Sequence, residues 1–194
     1  LPDYDLSQAK AIVAIGADFL GDWQGGGYEA GYAQSRIPHK DHGKAQMSWH
    51  MQVESNMSLS GANADKRIPS TPGQQMNFLA ALYAELSETG VKLSLDDSMK
   101  AAVSSAAKKL RKHAKHSVVL CGLEDVAAQE VTLAINGLLG SELIDVTAPR
   151  KIRQAKVSEI DALTADLKAG KIAGLITAGI NPLYTMADAA EISK

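Results

Sequence analysis

Three short apolar runs, each followed by a loop that contains glycine, recur along the chain. They begin at Ala11, Val118 and Ile172. A strand that is covered on both faces needs no polar alternation, so each run predicts a buried parallel strand. Because helical patterns separate the runs, we predict an α/β fold built from βαβ units with right-handed crossovers. The glycine-bearing loops are then expected to lie at one edge of the sheet.

Apolar residues spaced three or four positions apart predict the helices. These helices span residues 28–35, 98–116, 124–139 and 158–168, together with one that begins at Pro72, capped by Thr71, and stops at Gly90. A short helix capped by Asp18 is also predicted, until the glycines at 25–27 interrupt it. Partial alternation over residues 46–54 predicts a further strand that is half covered, and residues 67–69 and 143–146 predict short extended pieces.

The length of 194 residues fits one domain or two small lobes. We predict a first α/β lobe over residues 1–93 and a second over residues 94–194, with one continuous domain as the alternative. The sequence begins at Leu1 without a methionine and ends in a helical pattern. We therefore expect residues 1–194 to be a fragment of a larger subunit.

Composition and charge narrow the classes of function. With 20 basic and 22 acidic residues, the net charge of −2 gives no global field that would favour nucleic acid or anionic lipid. The basic end of the predicted helix at 98–116 is interpreted as a solvated face, because cations are favourable at a helix C-terminus. Cys121 is the only cysteine, which excludes an internal disulfide and predicts a buried, inert thiol. Without a signal peptide, lipidation motif or long apolar run, the segment itself is expected to be soluble.

Candidate binding residues follow the predicted strands, at the edge where α/β proteins bind nucleotides. They are Gly16, Asp18, Glu54, Asn56, Gly179 and Asn181. Gly16 either lets backbone amides approach a phosphate or forms a tight turn with nothing bound, since the full G-x-G-x-x-G spacing is missing. Glu54 and Asn56 either hold a ribose or satisfy loop amides. No nucleophile–base pair is recognisable, and His39 and His42 predict a solvated loop, so we assign no catalytic or metal-binding residue.

Three signatures stand in order along the sequence. They are residues 15–23 (IGADFLGDW), residues 54–69 (ESNMSLSGANADKRIP) followed by Pro72-Gly73, and residues 170–182 with their Gly179-Ile180-Asn181-Pro182. Together they resemble the central domains of the molybdopterin oxidoreductase (dimethyl sulfoxide reductase) superfamily, and the resemblance covers nearly the whole chain. It implies a Rossmann-like parallel sheet, or sheets, with helices on both faces.

Within that superfamily, the sequence looks most like one branch. This is the molybdopterin-oxidoreductase-like region of the large iron-sulfur subunit of alternative complex III, a bacterial quinol:electron-acceptor oxidoreductase. Catalytic relatives usually have an Asp-Pro-Arg type turn whose acid helps to hold a pterin-guanine dinucleotide, whereas this chain has Glu54-Ser55-Asn56. That branch is understood to keep the fold without molybdenum and to carry iron-sulfur clusters in a separate ferredoxin-like region, whose cysteine motifs this segment lacks.

The resemblance implies a non-catalytic, cofactor-free domain that scaffolds electron transfer and retains a vestigial cofactor cleft. Its expected partners are other domains of the parent subunit and other respiratory-complex subunits, without nucleic acid or direct membrane insertion. We expect a periplasmic or membrane-associated location through the parent complex, and an isolated fragment that dimerises through uncovered surfaces. Two alternatives stay open. One is a fragment of an active oxidoreductase that binds part of a molybdopterin guanine dinucleotide, and the other is an independent nucleotide-binding domain that uses the Gly16 and Gly179 loops.

Overall fold

The computed structural model describes residues 2–21, 23–41, 44–91, 93–150 and 156–186. Its strands are β1 (Asp3–Tyr4), β2 (Ala11–Ile15), β3 (His39–Asp41), β4 (Lys44–Gln46), β5 (Trp49–Glu54), β6 (Lys66–Pro69), β7 (Ser117–Cys121) and β8 (Ile144–Asp145). Its α-helices are α1 (Glu29–Arg36), α2 (Leu59–Ala62), α3 (Pro72–Ser87), α4 (Asp97–His113), α5 (Val126–Leu139), α6 (Val157–Lys168) and α7 (Pro182–Thr185). His42, one of the two histidines assigned to a solvated loop, lies outside the described residues.

A four-stranded parallel sheet with the order β6-β5-β2-β7 forms the centre of the fold. The chain builds it from β2 through β5 to β6 and then adds β7 on the other side of β2. Strands β1 and β8 form a separate antiparallel pair, as do β3 and β4. The predicted α/β class with a Rossmann-like sheet is confirmed, and the strand order reverses between β2 and β7, where open α/β sheets bind their ligands.

Contacts along the chain divide it into two compact units, residues 1–150 and 151–194. The central sheet lies in the first unit. It joins β2 and β5, from the first predicted lobe, to β7, from the second. The central sheet therefore contains strands from both predicted lobes, and each unit is described by itself below.

Strand β2 is completely buried because both of its faces are covered. Val13 and Ile15 belong to a core cluster shared with helices α3, α4 and α5. Ile12 and Ala14 belong to a second cluster, which includes Phe19 and aromatic residues of the segment that leads into α1. A strand between two cores has no solvent-facing side, which explains its unbroken apolar sequence.

The predicted ends of the helices are largely confirmed. Thr71 and Gln74 form a reciprocal capping box at the start of α3, with Pro72 in its first turn. Gly140 closes α5 in a left-handed conformation. At the end of α3 the expected stop at Gly90 is wrong, because Glu88 takes the left-handed position two residues earlier. No helix in the described ranges is long and apolar enough to cross a membrane.

The segment after β2 differs from its prediction. Asp18 does not cap an α-helix there, because residues 19–21 form turns and a 3-10 helix follows at Trp23–Gly25. Each residue from Gln24 to Gly27 has a positive φ angle, which ends any helix. The physical reason is that the Asp18 side chain accepts hydrogen bonds from a different segment, described below.

Strand β5 was predicted to be half covered, and that expectation is wrong. His50, Met51, Gln52 and Val53 are fully buried and Glu54 is 4% exposed. Met51 and Val53 pack in the core cluster with α3. The polar residues alternate with them, so they point to the opposite face, where protein groups rather than water satisfy them.

The outer edge of β7 is closed by amide side chains from α5. Asn136 Oδ1 accepts from the Val119 N–H at 2.9 Å, and Asn136 Nδ2 donates to the Val119 carbonyl at 2.9 Å. Gln129 Nε2 donates to the Cys121 carbonyl at 3.1 Å. These backbone groups point away from β2, so the side chains of α5 take the place of a fifth strand.

In the second unit, the predicted strand at 172–177 is not formed. Its residues have no strand pairing, and Ile176 is 97% exposed. The described part of that unit contains helices α6 and α7 but no strand that could pair with it. An apolar run becomes a strand only where a neighbour accepts its backbone hydrogen bonds, and none is described in this unit.

Candidate functional site

The turn after β2 lies at the carboxyl end of the sheet, where the sequence places the first candidate. Gly16 has a φ of +62° and donates its N–H to the Val53 carbonyl at 2.8 Å. The space beside its α-carbon is occupied, because Gln75 Oε1 lies 2.9 Å from the position that a β-carbon would take. Leu123 lies 3.4 Å from the same position. Side chains of this protein therefore occupy the space beside the Gly16 α-carbon.

Burial and hydrogen bonds fix the Gln75 side chain beside Gly16. It is 4% exposed, and its Nε2 donates to Ser55 Oγ at 2.9 Å and to the Ser70 carbonyl at 3.5 Å. Gln75 comes from the first turns of α3, and Ser55 comes from the loop after β5. This amide thus links the loop after β5 to the loop before α3, and it lies beside the turn at Gly16.

Gly122, the residue after β7, closes the gap between β2 and β7. Its N–H donates to the Ile15 carbonyl at 2.8 Å, which extends the pairing of the two strands by one step. A β-carbon on Gly122 would overlap the Gly16 carbonyl oxygen and would lie 2.9 Å from the Ala17 α-carbon. The backbones of the two loops are therefore in direct contact at Gly16 and Gly122.

Asp18 is engaged in binding the loop of α2. Its Oδ1 accepts from the Ser60 N–H at 2.9 Å and from the Ser60 hydroxyl at 2.8 Å. Ser60 Oγ in turn accepts from the Leu20 N–H at 2.9 Å. Asp18 and Ser60 therefore tie the loop after β2 to α2.

Glu54 forms an internal ion pair. Its Oε1 accepts from Arg67 Nε at 2.6 Å and from the Ser58 N–H at 3.2 Å, and its Oε2 accepts from the Ser58 hydroxyl at 2.5 Å. Burial raises the pKa of this carboxyl group, but the hydrogen bonds from Ser58 and Arg67 outweigh it and leave the pKa below its ordinary value. Gly61 packs so closely that a β-carbon there would overlap Glu54 Oε1. Both carboxylate oxygens are thus used within the protein.

The remaining candidates are exposed. Asn56 lies at the same edge as Glu54, and its side chain makes no polar contact within the described chain. Gly179 and Asn181 belong to the second unit, where Gly179 has a φ of +69° and Asn181 precedes α7. Because the strand predicted before them is not formed, they do not follow a strand end, and their role in a site stays a prediction.

A buried polar chain beneath this edge was missed by the sequence reasoning. The Tyr32 hydroxyl lies 3.2 Å from His50 Nδ1, His50 Nε2 lies 3.1 Å from Gln52 Oε1, and Gln52 Nε2 donates to the Ala17 carbonyl at 3.1 Å. Burial lowers the pKa of His50 to about 4, although the hydrogen bond to Gln52 opposes this effect. The alternation of polar and apolar residues in β5 was the available signal for this chain.

We predict that His50 makes the domain less stable in mild acid. Because its pKa in the folded state is about 4 and its ordinary value is 6.5, the unfolded chain takes up a proton first as the pH falls. This stability is complete above pH 6.5 and is lost as the pH falls towards 4, so about 2 kcal/mol should be lost between pH 7 and pH 5. Urea unfolding at both pH values measures the loss.

Two histidine variants separate this effect from general acid sensitivity. His50→Gln should remove most of the dependence between pH 7 and pH 5. His113→Gln is the matched control, since His113 is less buried and its pKa is also lowered, first by burial. An equal loss in wild-type protein and His50→Gln would contradict the assignment to His50.

The described residues at this edge do not fit a bound pterin dinucleotide. Such a cofactor needs cations and amide dipoles around its phosphates, yet Arg67 is paired with Glu54 and the space at Gly16 contains Gln75. Among the described residues, no group of three or more His, Cys, Asp or Glu side chains is placed to hold a metal ion.

Comparison with known protein families and with curated proteins gives no match to this chain. The resemblance drawn from its three signatures therefore stays an expectation.

Proposed function

We propose that this chain is a non-catalytic scaffolding domain of a respiratory quinol:electron-acceptor oxidoreductase, similar to the molybdopterin-oxidoreductase-like region of an iron-sulfur subunit. The observation that carries this proposal is the closed switch point of the sheet. The backbone of Gly122 lies against Gly16, and Gln75 occupies the space above the turn. A domain whose ligand position contains its own side chains is suited to holding other domains in place.

The ion pair of Glu54 supports the same function. In the resembled family, an acid of this turn helps to hold the dinucleotide. Here the acid accepts hydrogen bonds from Arg67 and Ser58, so its charge stabilises the loops of its own domain. Recruitment of Glu54 by a ribose would require breaking an ion pair that is 5% exposed on the carboxylate side.

The proposed setting follows from the resemblance. The domain contacts other domains of the parent subunit and other subunits of the respiratory complex, and the complex places it in the periplasm or at the membrane. Iron-sulfur clusters lie elsewhere in the parent protein, and this domain contributes no redox centre of its own. A fragment of an active molybdopterin enzyme is the alternative, and the experiment below distinguishes the two.

The test is metal and pterin analysis of the full-length parent subunit. We expect iron and sulfide without molybdenum, and no fluorescent pterin after acid release. Near-stoichiometric molybdenum together with a pterin would overturn the proposal in favour of the active enzyme. The positions of cysteine motifs in the parent gene give an independent result, since an upstream four-cysteine motif favours the enzyme and ferredoxin-type runs downstream favour the respiratory subunit.

A nucleotide titration of the 194-residue chain tests the closure of the switch point directly. We expect no saturable change in intrinsic tryptophan fluorescence on adding guanosine or adenosine diphosphate. Saturable binding would instead favour an independent nucleotide-binding domain. Because this readout needs only the chain itself, it stays informative whatever the parent subunit contains.

A further inference from the structure

A cluster of basic side chains lies at the amino edge of the central sheet, opposite the edge that carries Gly16 and Glu54. Its members are Lys10, Lys109, Lys112, His113 and His116, which we call the basic patch. Backbone hydrogen bonds bring distant parts of the chain together here, since the Lys10 N–H donates to the His116 carbonyl at 2.8 Å and the Trp49 N–H donates to the Lys10 carbonyl at 3.0 Å. The patch thus spans the starts of β2, β5 and β7.

The charges of the basic patch interact electrostatically with one another. The pKa of His113 is lowered, first by its partial burial and then by the positive charges of Lys112, Lys10, Lys109 and His116. Like charges grouped on one surface repel each other. An external anion would relieve that repulsion.

Two cations next to the patch, Arg111 and Lys115, form ion pairs. Lys115 binds Glu142 at 2.9 Å, and Arg111 lies 3.4 Å from Glu88. Within the described residues, no member of the patch forms an ion pair with a carboxylate. Lys10 and Lys112 are exposed, so their charges are accessible from solvent.

Trp49, the aromatic side chain beside the basic patch, does not offer an open stacking surface. Lys109 Nζ lies 5.5 Å from the centre of the Trp49 ring, and Trp49 packs partly buried against the core. Binding of single-stranded nucleic acid uses open aromatic faces, and a net charge of −2 disfavours a long polyanion. Clustered carboxylates on a protein surface need neither stacking nor a long-range positive field.

We propose that the basic patch is a docking surface for an acidic protein partner, which binds through clustered aspartate and glutamate side chains. The surface lies at the edge of the sheet opposite Gly16 and Glu54, so a bound partner leaves that carboxyl edge uncovered. This inference does not depend on the proposed function of the carboxyl edge.

The test measures binding of a short fluorescein-labelled poly-glutamate peptide to the 194-residue chain by anisotropy. The patch variant combines Lys10→Gln, Lys109→Gln and Lys112→Gln. The matched control combines Lys100→Gln, Lys156→Gln and Lys171→Gln, which removes the same number of charges from exposed lysines elsewhere. We expect saturable binding that weakens with added salt, with a loss of about tenfold or more in the patch variant and less than about threefold in the control.

A second readout locates the contact. In a Trp23→Phe background, Trp49 is the remaining tryptophan, and its emission should change on binding because Lys109 lies over its ring. No binding at low salt, or equal losses in the two triple variants, would overturn the proposal. Equally tight binding of single-stranded DNA or of anionic lipid vesicles would also overturn it, since the patch would then not select protein carboxylates.

Discussion

Gly122→Ala should destabilise the first unit by about 3 kcal/mol or more, since overpacking of this kind usually costs 1–3 kcal/mol and the obstructing atoms here belong to the backbone. The new β-carbon would overlap the Gly16 carbonyl oxygen and press on Ala17. Relief requires the loops after β2 and β7 to move apart, which breaks the hydrogen bond from Gly122 to Ile15. The free energy of unfolding in urea measures the effect.

Gly137→Ala is the matched control for this prediction. Gly137 lies inside α5, and apart from its chain neighbours and the backbone of its own helix nothing lies within 4 Å of the position of its added β-carbon. The same chemical change should therefore stabilise the protein by about 0.5–1 kcal/mol through the better helix propensity of alanine. If Gly122→Ala is as stable as wild-type protein, the two loops are not in contact, and the main support for the scaffolding function is lost.

Asn136→Leu should cost about 3 kcal/mol, because it leaves the N–H and the carbonyl of Val119 buried without partners. Leucine has the same branching as asparagine and is larger, so the substitution leaves no cavity and removes both hydrogen bonds to Val119. Asn136 is 2% exposed, and water cannot easily replace its amide. Hydrogen exchange at the Val119 amide should speed up along with the fall in unfolding free energy.

Gln129→Leu provides a graded comparison on the same helix. Gln129 is only partly buried, and it donates to carbonyls alone, at Cys121 and Leu123. Its replacement should cost about 1 kcal/mol, since water reaches the carbonyls that lose their donor. Equal losses of unfolding free energy in the two variants would contradict the larger contribution expected from the hydrogen bonds between Asn136 and Val119.

The sequence predicts those parts of the fold that local chemistry determines. The unbroken apolar runs at Ala11 and Val118 correctly predict buried parallel strands, because apolar side chains on both faces of a strand need no hydrogen-bond partners. The caps at Thr71 and Gly140 are likewise visible, since each satisfies helix-end backbone groups through neighbouring residues. Such features need no knowledge of what lies across the fold.

The features that depend on partners distant in sequence were missed or predicted wrongly. The alternation in β5 predicts one solvated face, but Tyr32 and Arg67 supply protein partners for its polar residues. The local sequence predicts a helix cap at Asp18, because nothing near it points to Ser60, which lies 42 residues later. The run at 172–177 has the composition of a strand, but in the second unit no described strand pairs with it.

In the candidate site, too, local features are predicted from the sequence and contacts with distant residues are not. The positions of Gly16, Asp18, Glu54 and Asn56 at one edge follow from strand order, which the sequence indicates. Whether the edge is open depends on Gln75 and Gly122, which approach it from other elements. The presence of a glycine after a strand therefore predicts a close backbone approach, but the approaching group can be another loop instead of a ligand.

The hydrogen bonds between Asn136 and Val119 also affect the tendency of this protein to aggregate at high concentration. An exposed edge strand with free backbone groups is a template on which sheets of separate molecules join and grow into aggregates. At the β7 edge those groups at Val119 are saturated from within the same molecule. Without the Asn136 amide, only the packing of α5 over β7 would keep this edge from other chains, so Asn136→Leu should make aggregation at high protein concentration faster wherever α5 opens.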